Sequence, residues 1–445
     1  MPSSTPSNSP MAADERLARI LEVEAFLDSC RIDGASGALW QRTPEGSESP
    51  HSLYHGSAGV VLFYLELHRA TGDDRHLEIA VDGADELLAS VDERHHSSVA
   101  IYSGLPGHLF VLNETAKATG LDRFRSGAAS VVQQMLDQSE VLGAGIGWVE
   151  PMPFSDITGI TGERELIDLS IGAAGAGLGL LYAHRQHLDD RALTAAIGTA
   201  DRLLEMAVET PDGPNWLMMA DMPFAFTAPN FAHGAAGVGY FLADLFRATA
   251  DQRYLDTAIA AAGFVEAHAT TTADDGLLVC HTEEQPDLHY LGVCHGPPGT
   301  GRLMYLLHEI TGDDHWLDWL QANLRGLLST GAPEARSRGL WQNFGQCCGD
   351  AGLGDYAVSL AQATGNADCL ALAERVETVV IAASEVSEGR RWWPQAEHRS
   401  RPTFIESQTG YMQGAAGIAS FLLHLATIDD QPTSKIALPD SPFTR

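Results

Sequence analysis

Three cysteines of the 445-residue chain stand where they could share one divalent ion: Cys294 and the vicinal pair Cys347 and Cys348. Each lies one or two residues before a glycine turn of the form G-x-x-G, as in Cys294-His295-Gly296 and Cys347-Cys348-Gly349. Zinc takes thiolate and imidazole ligands in a tetrahedron, and a zinc that does chemistry keeps one of its four places open. Three thiolates would leave that place for a substrate. In a chain without an export signature, adjoining cysteines point to a metal rather than to a disulfide. The competing reading is packing, because free cysteine behaves as a small buried hydrophobe. Cys280–His281 with Cys294–His295 forms a second possible ligand set, although Cys280 falls outside the glycine-turn register.

The turns that carry these residues belong to a repeat. G-x-x-G followed by an apolar run opens at Gly56, Gly104, Gly172, Gly234, Gly296, Gly349 and Gly414, at intervals of 48 to 68 residues. The runs show apolar residues at helical spacing. Four of them meet another glycine 13 residues on, at Gly72, Gly120, Gly312 and Gly365, and a charged segment follows. This pattern predicts an apolar inner helix, a glycine C-cap and a more polar outer helix in every unit. The Asp pairs 73–74, 189–190 and 313–314 then fall at outer-helix starts, where acidic groups cap the helix and complement its dipole. No strand-like alternation repeats, so the fold class is all-α. The seventh unit lacks an outer helix, and an amphipathic helix over 14–30 can supply it, which favours closure into an (α/α) toroid of seven helix pairs over an open solenoid. The residues just before the turns would line the rim: His55, Ser103, Ile171, His233, His295, Cys348 and Gln413. One domain is expected over 14–428, with Met1–Ala13 and a tail over 429–445 disordered. Long irregular connections should lie over one face; their aromatics, Trp148 and Trp392–Trp393 among them, could touch a substrate or simply pack. Cys30 and Cys369 read as packing residues.

Composition narrows the partners. With 27 basic and 59 acidic side chains the net charge is −32, so nucleic acid and anionic membrane would be repelled. No apolar run is long enough to span a bilayer. The first residues are Ser/Pro-rich without a basic start or an apolar core, so no signal peptide is read and a cytoplasmic location is expected.

Val293-Cys294-His295-Gly296-Pro297-Pro298-Gly299, Cys347-Cys348-Gly349-Asp350-Ala351-Gly352, Ala232-His233-Gly234-Ala235-Ala236-Gly237 and the segment Asp168–Gly175 together resemble the lanthionine synthetase C-like family, from about Ser52 to Leu425. The resemblance implies a double ring of helices around Zn²⁺ held by Cys294, Cys347 and Cys348. The commoner family pattern has histidine at the third ligand, so Cys348 marks a three-cysteine variant. By the same matching, His233 corresponds to the family's proposed catalytic histidine and Asp168 to the aspartate that supports it. His295, beside the first ligand, is a further candidate for protonating or steadying an enolate. The implied reaction adds a peptide cysteine thiol across dehydroalanine or dehydrobutyrine in the same dehydrated precursor peptide, closing a thioether ring. A dehydratase would be the partner enzyme, and no region of its size precedes the repeats. Two alternatives keep the site but change its use: addition of a small thiol such as glutathione to dehydrated residues, or a zinc-bearing scaffold that presents peptide without catalysis. One departure concerns Tyr290, which stands where an arginine is frequent.

Overall fold

The computed structural model describes residues 11–93, 98–153, 159–222, 228–430 and 432–443. It opens with α1 (Ala13–Ser29) and continues as six helix pairs. These are α2 (Ser57–Thr71) with α3 (Asp74–Glu93), α4 (Leu105–Thr119) with α5 (Asp122–Asp137), and α6 (Ala173–Arg185) with α7 (Ala192–Glu205). Then come α8 (Ala235–Thr249) with α9 (Gln252–Ala267), α10 (Pro297–Thr311) with α11 (His315–Ser329), and α12 (Asp350–Thr364) with α13 (Ala367–Ala383). A single helix, α14 (Ala415–Ala426), follows. The first glycine of every G-x-x-G is the N-cap of an inner helix, as Gly56 is of α2 and Gly349 of α12. Inner helices are mostly apolar all round because they are surrounded: α2 is buried continuously from Ser57 to Leu67, Glu66 included. They neighbour one another in order, and α14 returns to α2, closing the ring. α1 lies along α14 and buries Ile20, Val23, Phe26 and Leu27, so it is the seventh outer helix. The protein is an all-α toroid.

Glycine at the second turn position is a matter of close approach. A Cβ on Gly352 would stand 1.9 Å from the Gln346 carbonyl oxygen, so the segment that carries Cys347 and Cys348 crosses directly over the first turn of α12. At the far ends Gly72, Gly120, Gly312 and Gly365 take φ between +66° and +70°, the left-handed C-cap that lacks a Cβ penalty only for glycine. The fourth repeat reaches the same conformation with Ala250, at φ +56°. The Asp pairs act at helix starts as expected: Asp73, Asp189 and Asp313 each accept from the backbone N–H two residues on, at 2.8–2.9 Å.

Two expectations change. Most outer helices are followed by short antiparallel two-stranded ribbons, such as Arg31–Asp33 with Ala38–Trp40, rather than by wholly irregular loops. Strands of two or three residues are too short to show a period of two in the sequence. Buried tryptophans tie the ribbons down, with Trp148 donating to Met135 O and Trp393 to Val380 O at 2.9 and 2.7 Å. Trp392 stacks on Phe26. These rings pack. The second change is the C-terminal segment. Residues 432–443 are not a loose tail but run into the ring from the end away from the glycine turns. Lys435 meets Asp355 at 2.6 Å, the Ile436 N–H donates to Glu66 at 2.9 Å, and Asp440 pairs with Arg302 and Tyr102. Its terminal position suggested disorder; its charges are instead the complements of charges buried on inner helices. The expected N-terminal disorder over Met1–Ala13 lies outside the described residues as far as residue 10, while residues 11–13 are described and Ala13 already opens α1.

Candidate active site and metal centre

A belt of backbone hydrogen bonds joins the seven turns two residues before each first glycine. Tyr54 N donates to Tyr102 O at 3.0 Å, Ser170 N to Ala232 O at 3.0 Å, and Ala232 N to Cys294 O at 2.8 Å. Cys294 N donates to Cys347 O at 3.1 Å, Cys347 N to Met412 O at 2.9 Å, and Met412 N back to Tyr54 O at 3.0 Å. The remaining link uses the neighbouring residue, Ile101 N to Ser170 O at 3.3 Å. Cys294 and Cys347 are therefore consecutive links of one belt, although 53 residues separate them in the chain. Gly292 lets the two turns touch, since a Cβ there would lie 2.7 Å from the Cys348 Cα.

This belt delivers the sulfurs. Cys294 Sγ lies 3.5 Å from Cys348 Sγ, which lies 3.3 Å from Cys347 Sγ, and all three fall within 4.8 Å of one another. Three ligands of a tetrahedral zinc at about 2.3 Å would be about 3.8 Å apart, so the donor set and its spacing fit that ion. Hydrogen bonds from Cys294 and Cys348 hold the Cys347 thiol well below its ordinary value, while the same bonds push Cys294 and Cys348 up. Gln413 Nε2 reaches Cys348 Sγ at 3.6 Å and donates to Tyr54 Oη at 3.0 Å; Asn343 fixes it by donating to its Oε1 at 2.8 Å. Cys280 does not join the sulfur cluster among the described residues.

The sulfurs open into a cavity of about 600 Å³ that His233, His295, Tyr290 and Glu397 also line. His233 Nδ1 donates to Asp168 Oδ2 at 2.7 Å, and the other oxygen of that buried carboxylate accepts from Ile171 N at 2.7 Å. Burial would lower the His233 pKa, but the charge and hydrogen bond of Asp168, with help from Cys347, raise it above the ordinary imidazole value. Its ring lies 5.5 Å from that of His295. Burial, then the neighbouring His281 and His233, hold His295 well below the ordinary value, and its Nδ1 is buried without a hydrogen-bond partner. His295 is thus a neutral imidazole beside a cationic-prone one. Asp168, His233, His295 and the three cysteines occupy one site.

The profile of the family described as "Lanthionine synthetase C-like protein" matches residues 47–438. The chain belongs to this family. No curated protein matches this lanthionine synthetase C-like chain by sequence. Among solved structures it is similar to one described as nisin cyclase, with a TM-score of 0.60 and 13% identity over 87% of this chain and 91% of that one. It is also similar to cellobiose 2-epimerase from Bacillus thermoamylovorans B4167, at a TM-score of 0.53 and 12% identity over 94% and 98% of the two chains. Rings of this kind thus occur in proteins named for different reactions, and identities this low carry the fold alone.

Several residues of this lanthionine synthetase C-like site escaped the sequence reading. Gln413 stood in the rim register, with Tyr54 one residue before that register in the first repeat, but neither suggested chemistry. Glu397, Arg399 and Trp341 lie in connections, where no repeat register points to them. Arg399 bears on the departure at Tyr290: its Nε donates to Tyr290 Oη at 2.8 Å, so a guanidinium reaches this wall from a different connection. Tyr290 also stacks on His281 at 4.4 Å and meets Trp341 edge-on at 5.5 Å, forming an aromatic wall beside Cys294. No helix among the described residues is long and apolar enough to cross a membrane.

Proposed function

We propose that this protein is a zinc-dependent peptide cyclase. It adds a cysteine thiol to a dehydroalanine or dehydrobutyrine of the same peptide and leaves a lanthionine or methyllanthionine bridge. One observation carries the reading: three sulfurs within 4.8 Å of one another share a cavity with an imidazole–carboxylate pair. Cys294, Cys347 and Cys348 would hold the zinc, which when bound lowers the pKa of an incoming thiol and fixes its sulfur. The chain's own groups do the rest. The cavity receives the peptide segment, and the Tyr290–Trp341 wall gives its apolar face a surface. The thiol gives up its S–H proton to base or water, and carbon–sulfur bond formation then moves the alkene electron pair onto the substrate carbonyl as an enolate. His295, which burial disposes to the neutral form, would hydrogen-bond that oxygen. His233, held protonated by Asp168, gives its proton to the α-carbon and regains one from water. The substrate is a dehydrated precursor peptide, delivered by a dehydratase in the cytoplasm.

The test is zinc analysis beside a cyclisation assay on a dehydrated, cysteine-containing peptide. The wild-type protein should carry about one zinc per chain and remove the free thiol without changing the peptide mass. Cys347→Ala should stay folded, lose zinc, and close rings at least about 10³-fold more slowly. A mass gain when glutathione is supplied would instead favour small-thiol addition. Intact processing by Cys347→Ala would favour a scaffold.

A further inference from the structure

The sulfurs have a second imidazole–carboxylate pair beside them. His55 precedes the first glycine turn as His233 precedes the fourth and Cys348 the sixth. Around a closed ring of seven, Cys348 is two repeats from His233 in one direction and two from His55 in the other. His55 Nε2 lies 3.0 Å from Glu397 Oε1, and both residues line the same cavity as the sulfurs. The carboxylate is itself fixed, with Gln408 Nε2 donating to its other oxygen at 2.8 Å and Arg42 reaching that oxygen at 3.4 Å. Arg42 is shared with Glu406 and Glu48, and His398 approaches Glu397 at 3.8 Å. Burial works to raise the Glu397 pKa, but hydrogen bonds, first that of His55 and then that of Gln408, bring it down to about 2. An Nε2–H given to Glu397 leaves the lone pair on Nδ1 of His55, the reverse of His233, which gives Nδ1–H to Asp168. Contact with the sulfurs runs through the adjoining ring: Tyr54 meets His55 edge-on at 4.5 Å, and Gln413 Nε2 bonds both the Tyr54 hydroxyl and Cys348 Sγ.

Resting on the cyclase reading, we propose that His55, oriented by Glu397, is the base that takes the proton of the substrate thiol, leaving His233 free to protonate the α-carbon. The balance closes. The S–H bond breaks, with its proton passing to His55 and its electron pair staying on sulfur. The C–S bond forms, the alkene pair becomes the enolate, and His233 delivers a proton to carbon. His55 then loses its proton to water and His233 takes one up. A single histidine doing both jobs would leave the second pair without a role.

A thiol of ordinary pKa, about 8.5, ionises by itself in alkaline solution, and this separates the two histidines. His55→Gln and Glu397→Gln should slow ring closure about 10²-fold at pH 6.5 and come within about threefold of wild type at pH 9, where the thiol no longer needs a base. The deficit of His233→Gln should persist at both pH values. A second readout involves no turnover: calorimetric binding of a short cysteine peptide without dehydrated residues to the zinc-loaded protein. Its affinity should change little between pH 6.5 and 7.5 in wild type, and rise about tenfold per pH unit in His55→Gln, where the proton must leave to buffer. Equal losses at pH 6.5 and 9, or identical binding slopes, would overturn the assignment. A wild-type protein that binds the thiol peptide but closes no ring defeats the cyclase reading, while the slopes still judge His55.

Discussion

Where the glycine turns converge, three thiols lie within 4.8 Å of one another and two imidazoles, His281 and His295, stand 4.5 Å apart. Deeper in the ring, towards the C-terminal segment, buried polar groups are matched by opposite charge. His424 lies between Glu66 at 3.0 Å and Asp355 at 2.6 Å, Lys435 also meets Asp355, and Asp440 meets Arg302. The two regions respond to burial in opposite ways. His281 is lowered to about 4 by burial, aided by Arg399 and His233. His424 feels the same burial, yet Glu66 and Asp355 raise it to about 9. Like groups gathered out of water raise the free energy of a site until something complementary enters; matched charges are already satisfied. On the cyclase reading the rim receives a cation and a substrate, while the deep end holds the ring together.

Removing a charge from the deep end is the strongest test of that contrast. Asp440→Ala leaves the buried Arg302 guanidinium without its carboxylate and should cost about 3–5 kcal/mol of stability, read as a fall in the denaturant midpoint. Cys347→Ala should barely move that midpoint when both proteins are stripped of zinc, while abolishing zinc uptake. If the two variants were equally destabilised, the division of labour would be wrong. A smaller effect follows from pH. His424 has a folded pKa of about 9 against an ordinary 6.5, so its contribution is complete below about 6.5 and is lost as pH rises through about 9, a difference of about 3 kcal/mol. Melting temperature should fall between pH 7 and 10, and His424→Gln should flatten that slope.

The same contrast explains what could be read in the chain. The rim repeats its glycines in register, so the seven turns, the inner helices and the meeting of Cys294 with Cys347–Cys348 followed from spacing. His233 and Asp168 followed from motif likeness. Glu397 and Arg399 did not, because connections have no register and their partners, His55 and Tyr290, lie more than 100 residues away in the chain. The C-terminal segment was misjudged for a related reason. Lys435 and Asp440 look like solvated tail charges until Asp355 and Arg302 are seen facing the ring axis, and nothing local in the sequence pairs them.

At the rim itself the imidazole–carboxylate pairs break the pattern of like with like, and the smallest of these effects tests why in one of them. Asp168 is the carboxylate hydrogen-bonded to His233, and it also holds the turn through Ile171 N. Asp168→Asn keeps an oxygen for Ile171 and nearly the same shape, so the turn should stand. The charge is lost, and burial, the largest effect on His233, is then opposed only by the smaller one of Cys347, so its pKa comes down. In the proposed mechanism His233 is the acid, so the alkaline limb of the cyclisation profile marks its deprotonation. In wild type that limb should lie above the ordinary imidazole value, and in Asp168→Asn it should move to lower pH, with a loss of about 10²-fold at pH 8 and zinc content unchanged. An alkaline limb that stays in place would mean that another group supplies the proton, and that Asp168 serves the turn alone.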